Sequence, residues 1–285
     1  MTAAPSSPPS ARLVVTGAGG QVGRQLTRLA PHAHGYTRAD LDITDARAVA
    51  AAIRPGDVVV NCAAYTAVDR AESEPEAAWA INATGPAVLA AACARAGARL
   101  IHLSTDYVFP GTHDVPYETD DETGPATVYG RSKLAGEQAV LTETPHAHVV
   151  RTAWVYTGDS GDFVATMRRL EAERPTVDVV DDQIGSPTYA ADLAAGLLEL
   201  AAAPAAPRIL HATNAGAASW FELARAVFAE LGADPARVRP CDSGAFPRPA
   251  QRPAYSVLSD RAWRAAGLTP LRDWRSALRA ALATV

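Results

Sequence analysis

RLVVTGAGGQVGRQLTRLA, running from Arg12 to Ala30, decides the fold. Arg12 to Thr16 is a short apolar run that stops at a glycine, and it reads as a buried first strand. Gly20 to Ala30 reads as the helix that follows. Gly17, Gly20 and Gly23 recur every third residue between the two. A tight turn needs one residue without a Cβ, close approach of backbone to a pyrophosphate needs another, and packing of the helix on the sheet needs a third. The first turn of the helix then offers unpaired N–H groups to phosphate oxygens. Gly17, Gly20, Gln21, Val22 and Gly23 are therefore candidate dinucleotide contacts. A glycine triplet alone is weak; its place between a strand and a helix gives it weight.

Beyond this stretch strands and helices alternate. His34 to Thr37 is a weak second strand, Asp45 to Ile53 a helix, and Asp57 to Asn61 (DVVVN) a strong third strand. Pro75 to Ala96 is an Ala-rich helix closed by Gly97. Arg99 to Ser104 is a fourth strand, Tyr129 to Leu141 a helix, and His148 to Arg151 a fifth strand. The alternation predicts an α/β fold, a Rossmann-type doubly wound parallel sheet with helices on both faces and ligands at the carboxyl ends of its strands. The second half is less regular, with helices over Asp162–Glu173, Tyr189–Leu200, Ser219–Leu231 and Arg272–Leu282 and a Pro-rich connection from Pro240 to Pro253. The expected organisation is a flexible tail over 1–10 and a dinucleotide-binding domain over 11–152, to which 188–213 returns. A smaller C-terminal substrate-binding lobe takes 153–187 and 214–285.

Composition narrows the class. Net charge is −5 without a basic stripe, which disfavours nucleic acid. No apolar run reaches the roughly 18 residues of a membrane span. The Pro/Ser/Ala-rich start lacks the basic and apolar regions of a signal peptide, so no membrane partner and a cytoplasmic location are expected. Cys62, Cys93 and Cys241 are far apart and odd in number, as suits a reducing compartment, and no Cys/His spacing suggests a metal site. Of 26 Lys and Arg residues only Lys133 is a lysine. Where Arg serves as the generic cation, a lone ammonium with a tunable pKa invites a chemical reason.

That reason is Tyr129-Gly130-Arg131-Ser132-Lys133, which places Tyr and Lys at i and i+4 on one helix face. A neighbouring ammonium favours tyrosinate and turns a poor acid–base group into a usable one. Upstream, Ser104-Thr105-Asp106 runs off the fourth strand, where a hydroxyl can polarise a carbonyl. After the second strand, Arg38 suits the 2′-phosphate of NADPH, while Asp40 keeps NADH open.

These segments resemble the dTDP-4-dehydrorhamnose reductase family of extended short-chain dehydrogenases/reductases. The matching stretches are TGAGGQVG (from Thr16), LDITD (from Leu41), NCAAYTAVDRAE (from Asn61), INATG (from Ile81), STDYVFPG (from Ser104), YGRSKLAGE (from Tyr129), RTAWVY (from Arg151), DDQIGSPTY (from Asp181), SWFELA (from Ser219) and RPAYSVL (from Arg252). The resemblance implies reduction, by NADPH or NADH, of the C4 ketone of a dTDP-linked 4-keto-6-deoxy-L-hexose. Tyr129 would be the acid, Lys133 would depress its pKa and hold the ribose, and Thr105 would orient the ketone. Asp42 and Ile43 would flank the adenine, and Ala63, Ala64 and Tyr65 would line the cofactor. Val68, Asp106, Trp154, Gln183, Ser186 and Arg252 would meet the substrate, Arg252 through its planar fork. Asn82 reads as structural. The family's dehydratase relatives carry Asp-Glu after the Thr; here Tyr107 follows Asp106, which favours a simple reductase.

Pro110-Gly111, where the family commonly has Asp-Gly, leaves open a reductase of a related ketosugar in specialised deoxysugar biosynthesis. Some proteins of this fold bind NADP(H) as regulatory subunits without turnover, a further reading against which intact Thr105, Tyr129 and Lys133 speak. The resemblance also admits a homodimer around a Mg ion held by carboxylates. No ligand set can be singled out for it, and Asp120, Asp121 and Glu122 read as a solvated loop.

Overall fold

The computed structural model describes residues 11–159 and 161–284; the expected tail over 1–10 lies outside them. In chain order the elements are β1 (Leu13–Thr16), α1 (Gln21–Leu29), β2 (His34–Tyr36), α2 (Ala46–Ala52), β3 (Val58–Asn61), α3 (Val68–Ala71), α4 (Pro75–Trp79), α5 (Gly85–Ala96) and β4 (Arg99–Thr105). Then come α6 (Val128–Glu143), β5 (Ala147–Thr152), β6 (Val155–Tyr156), α7 (Phe163–Glu173), β7 (Val177–Val180), β8 (Ile184–Gly185), β9 (Thr188–Tyr189) and α8 (Ala190–Ala201). The chain ends with β10 (Ile209–His211), β11 (Ala218–Ser219), α9 (Trp220–Glu230), β12 (Val238–Cys241), α10 (Arg261–Ala265) and α11 (Trp274–Leu282).

The main sheet has six strands in the order β10-β5-β4-β3-β1-β2, all parallel. β1, β3 and β5 are buried along their whole length, as strands covered on both faces must be. One apolar layer joins Val15, Leu26, Val60, Leu193, Leu197 and Trp263; the opposite layer joins Val14, Val49, Val59, Leu89 and Val149. The doubly wound α/β fold expected from the alternation is the one observed. Strand order reverses between β1 and β3, so the crevice for a ligand opens above Gly17 and Ala63.

The run Pro75–Ala96 is read from sequence as one helix, but a π turn over Ala80–Thr84 divides it. By length and composition this run is also apolar enough to cross a membrane, contrary to the sequence expectation. Its alanines raise the mean hydropathy, and it packs on α2, α6 and β4. A separate apolar cluster (Tyr156, Met167, Leu223, Phe228, Trp274, Leu278) builds the C-terminal lobe around α7, α9 and α11. Its short strands pair as β11-β8, β12-β7 and β6-β9. They are two to four residues long and have no periodicity to read. The three cysteines are unpaired.

Candidate active site

The glycine loop is shaped by contact. Gly17 has φ +70°, and a Cβ there would stand 2.5 Å from the Ala63 nitrogen; one on Gly23 would stand 2.3 Å from the Gly17 carbonyl oxygen. Any side chain at either position would break the turn, which leaves a bare backbone cradle at the start of α1. Gly20 caps α1 without a side-chain bond, so first-turn N–H groups remain available to an anion. That cradle and the acceptor-free helix end fit a dinucleotide pyrophosphate. The Gln21 carboxamide turns away from the loop to donate to Asp162 at 3.1 Å. Beyond β3, the Ala63–Tyr65 segment is fixed by two buried amides. Asn61 accepts from Ala63 N–H at 3.1 Å, and Asn82 accepts from Tyr65 N–H at 2.8 Å while donating to the Tyr65 carbonyl and to Ser132. Asn82 is thus structural, as read. The Tyr65 phenol reaches outward to Glu74 and Arg70.

Past β2, Arg38, Asp40 and Asp42 are all exposed. Asp40 is occupied by the Thr37 hydroxyl and N–H, which hold its carboxyl below the usual range. The exposed Arg38 guanidinium stands near enough to Asp42 to help hold that carboxyl below its usual range. Ile43 is buried beneath the loop against Gly85, so its side chain serves the core.

Thr105 closes β4, and Tyr129 and Lys133 lie on one face of α6. The Thr127 hydroxyl caps that helix by accepting from Gly130 N–H at 3.0 Å. A Cβ on Gly136 would stand 2.1 Å from the Asn82 carbonyl, so α6 packs backbone to backbone on the π turn. The Thr105 hydroxyl donates to Asp106 at 2.9 Å and lies close enough to the Tyr129 phenol to favour its ionised form. Burial pushes the Tyr129 phenol up to about 12; Thr105 lowers it and the Asp106 charge raises it. Burial likewise pushes the Asp106 carboxyl up to about 6. Lys133 is 2 % exposed, and its ammonium is brought down to about 8 by burial, against the opposing charges of Glu137 and Cys62. It donates to the Leu103 carbonyl at 2.6 Å and lies 3.5 Å from His102 Nε2. The lowering of the Tyr129 pKa by Lys133, expected from their spacing, does not feature in this arrangement, because the amine is turned onto the sheet.

Beside this cluster a cavity of about 690 Å³ is lined by Tyr107, Trp154, Gln183, Trp220, Phe246 and Arg252, among others. Trp154 has φ +46°, the one left-handed non-glycine among the described residues, a conformation that costs roughly 1–2 kcal/mol. It is held by a parallel stack on Trp220 with centroids 3.5 Å apart, and by Gly185, where a Cβ would stand 2.4 Å from the indole. Such strain over-determined by packing is characteristic of functional sites. Gly185 carries no signal of this contact in the sequence, and only the fold brings it and Trp220, an aromatic that reads equally well as core, to Trp154. Arg252 rests on Asp69 at 2.8 Å, and Gln183 donates to Ser243 at 2.8 Å. Ser186 is completely buried, and its hydroxyl accepts from Leu258 N–H. It fastens the segment after Arg252 and does not line the cavity. Val68 opens α3, away from the cavity wall. Among the described residues no cluster of three or more His, Cys, Asp or Glu could hold a metal, so the Mg ion finds no ligand set there.

Comparison with known proteins places nearly the whole chain in one family. Residues 11–285 match the family model described as RmlD substrate binding domain. A dTDP-4-dehydrorhamnose reductase of Mycobacterium tuberculosis is 62% identical over 283 residues, covering 96% of this chain and 93% of its own. A dTDP-4-keto-6-deoxy-D-glucose reductase of Streptomyces niveus is 48% identical over 94% of this chain and 95% of its own. The crystal structure of dTDP-4-dehydrorhamnose reductase from Bacillus anthracis in complex with NADP superimposes with a TM-score of 0.91 at 37% identity, covering 96% of this chain and 99% of that one.

Proposed function

The chain belongs to the RmlD substrate binding domain family, and from that premise we propose that it reduces the C4 ketone of dTDP-4-dehydro-L-rhamnose to give dTDP-L-rhamnose, with NADPH as reductant. The observation that carries this is Thr105 at the end of β4 beside Tyr129 of α6, with Lys133 one turn further along the same helix and a cavity lined by Tyr107, Trp154 and Arg252. The Mycobacterium tuberculosis relative supports the substrate, and the NADP complex of the Bacillus anthracis protein, with Arg38 exposed just past β2, supports NADPH. A soluble biosynthetic reductase of this kind belongs in the cytoplasm.

In this mechanism Gly17, Gly20, Gln21, Val22 and Gly23 hold the pyrophosphate, Arg38 the 2′-phosphate, and Ala63 and Ala64 line the nicotinamide side. A bound nicotinamide supplies the hydride. Thr105 and Tyr129 lie beside one another, and each turns its hydroxyl proton onto the ketone oxygen and orients it, Thr105 leaving Asp106 to do so. As C4 becomes tetrahedral, the Tyr129 phenolic proton passes to the oxygen and leaves tyrosinate. A phenol held at about 12 keeps that proton until the oxygen demands it. Lys133 reaches the ribose hydroxyls and, as ammonium, stabilises the tyrosinate. The Trp154–Trp220 stack walls the sugar, and Arg252, leaving Asp69, pairs with the diphosphate.

The Streptomyces niveus relative supports a second reading, in which the ketosugar is a different dTDP-4-keto-6-deoxyhexose. One assay separates them: NADPH absorbance decay with dTDP-4-dehydro-L-rhamnose and with dTDP-4-keto-6-deoxy-D-glucose, beside Tyr129→Phe. The first substrate should turn over faster, and the variant should lose about 10²–10⁴-fold in kcat while NADPH affinity stays within a few-fold. A preference for the second substrate would establish the alternative. Equal cofactor binding without turnover of either would support a regulatory subunit.

A further inference from the structure

His102 lies on β4, completely buried, with Asn61 on one side and Lys133 on the other. Its protonation can be deduced from its neighbours. A backbone N–H only donates, and Ala63 N–H points at one carboxamide atom of Asn61 from 3.1 Å, so that atom is the oxygen. The Thr16 hydroxyl donates to the same oxygen at 2.7 Å. The other atom is therefore the Asn61 NH₂, a pure donor, and it faces His102 Nδ1 at 3.0 Å. Nδ1 must accept and carries no proton. Burial, reinforced by the facing Lys133, keeps the ring neutral at physiological pH. A neutral imidazole has one N–H, here Nε2–H. That N–H faces Lys133 Nζ at 3.5 Å. An ammonium has no lone pair, so ammonium against Nε2–H is donor against donor. A neutral amine accepts the bond and still donates to the Leu103 carbonyl.

We propose that His102 is a positioning residue: the relay Thr16–Asn61–His102 presents an N–H to Lys133, favours its neutral amine against the sheet in the resting enzyme under mildly alkaline conditions, and has that amine take up a proton there when the cofactor binds. This deepens, and rests on, the reading that Lys133 serves reduction. The other groups bearing on the amine are Glu137 from α6, whose charge Arg151 shares across a buried pair at 2.8 Å, and the Cys62 thiol at the end of β3. Both favour ammonium. Burial opposes them and brings the titration down to about 8, the range in which a neighbouring donor decides the outcome. When the ribose hydroxyls arrive as acceptors, the amine gains a reason to become ammonium and turn toward Tyr129.

The experiment uses the fact that Lys133 is the only lysine. Protein labelled with ¹³Cε/¹⁵Nζ-lysine gives one side-chain signal, and ¹⁵N-histidine labelling reports the His102 tautomer in the wild-type chain without any substitution. The expected results are a neutral Nε2–H ring from pH 6 to 8 and a lysine titration near 8. In His102→Leu the titration should move up by roughly one pH unit once the opposing N–H is gone. Titration calorimetry of wild-type protein with NADPH, in two buffers of different ionisation enthalpy, should show proton uptake at pH 8–8.5. An Nδ1–H ring, or a lysine titration unmoved or lowered in His102→Leu, would overturn the proposal. Should that variant not fold, the wild-type tautomer and the proton count still decide it. Turnover of the ketosugar by wild-type protein is scored separately: turnover with the wrong tautomer removes the relay and leaves the reductase, whereas the right tautomer and lysine shift without turnover do the reverse.

Discussion

Lys133 is an expensive residue to fold around. The unfolded chain keeps a lysine charged until about pH 10.4, whereas burial in the native state brings Lys133 to about 8. Between those values the unfolded chain holds more protons than the folded one, so folding is favoured increasingly as pH rises through that window. Below it the buried ammonium counts fully against the fold, by about 3 kcal/mol on the size of the shift. Lys133→Met has similar length and no charge. It should raise the urea-unfolding free energy at pH 7 by about 1–3 kcal/mol, lose that advantage by pH 10.5, and abolish NADPH oxidation. Unfolding curves at several pH values check the sign; a destabilised variant at pH 7 would mean the amine is paired better than its surroundings indicate. Asp106, pushed up to about 6, behaves in the opposite sense. Its contribution is present below about pH 4 and is lost as pH rises through 6. Asp106→Asn should therefore flatten the decline in stability between pH 4 and 6.5 in the same experiment.

The element that delivers the chemistry is α6, and its placement depends on two residues after Lys133. Gly136 lets the helix touch the π turn at Asn82, and Glu137 forms the buried pair with Arg151 on β5, each side chain no more than 3 % exposed. Glu137→Gln leaves the guanidinium uncompensated and should cost about 3–5 kcal/mol, read as a lowered urea midpoint with unchanged slope. Gly136→Ala forces a Cβ into a carbonyl at 2.1 Å. The helix must shift, and kcat should fall together with stability, since Asn82 also fixes Tyr65. A Gly136→Ala enzyme with full kcat would show that the π turn yields and α6 does not. This is also where the limit of the sequence lies. Tyr129 and Lys133 are four apart on one helix, and the glycines of the first loop are three apart, so their proximity is local and legible. His102 next to Lys133, Asn61 next to His102 and Gly185 under Trp154 require strand register and a tertiary crossing, and no periodicity reports those. The π turn escaped notice because Ala80–Thr84 has the composition of an ordinary helix. Ser186, taken as a substrate contact from the resemblance, is completely buried and accepts from Leu258 N–H, a placement that only the tertiary packing reveals.

At the scale of the molecule, the sheet and the C-terminal lobe are separate apolar clusters tied by polar groups. The chain passes from β5 into the lobe, returns as α8 against α1 and β10 against β5, and leaves again. Buried Asn214 joins these passes, accepting from Tyr189 N–H and donating to Asp192 and the Arg272 carbonyl. Asp162, the cap of α7, gathers N–H groups from Thr157, Gly158 and Ala165 and reaches across to Gln21 of the glycine loop. Arg252 and Ala250 N–H converge on Asp69 of α3. Repeated crossings and shared polar anchors should make the two clusters unfold together. Calorimetry should show one transition with equal calorimetric and van't Hoff enthalpies, and NADPH at a hundred times its Kd should raise the whole transition by about 2.7 kcal/mol. Tryptophan fluorescence, to which Trp154, Trp220 and Trp274 of the lobe contribute three of five side chains, should follow the same curve as far-UV ellipticity. Two resolved transitions, with only one moved by NADPH, would mean that the anchors at Gln21 and Asp69 are too weak to couple the lobes, and that the substrate cavity can open while the cofactor stays bound.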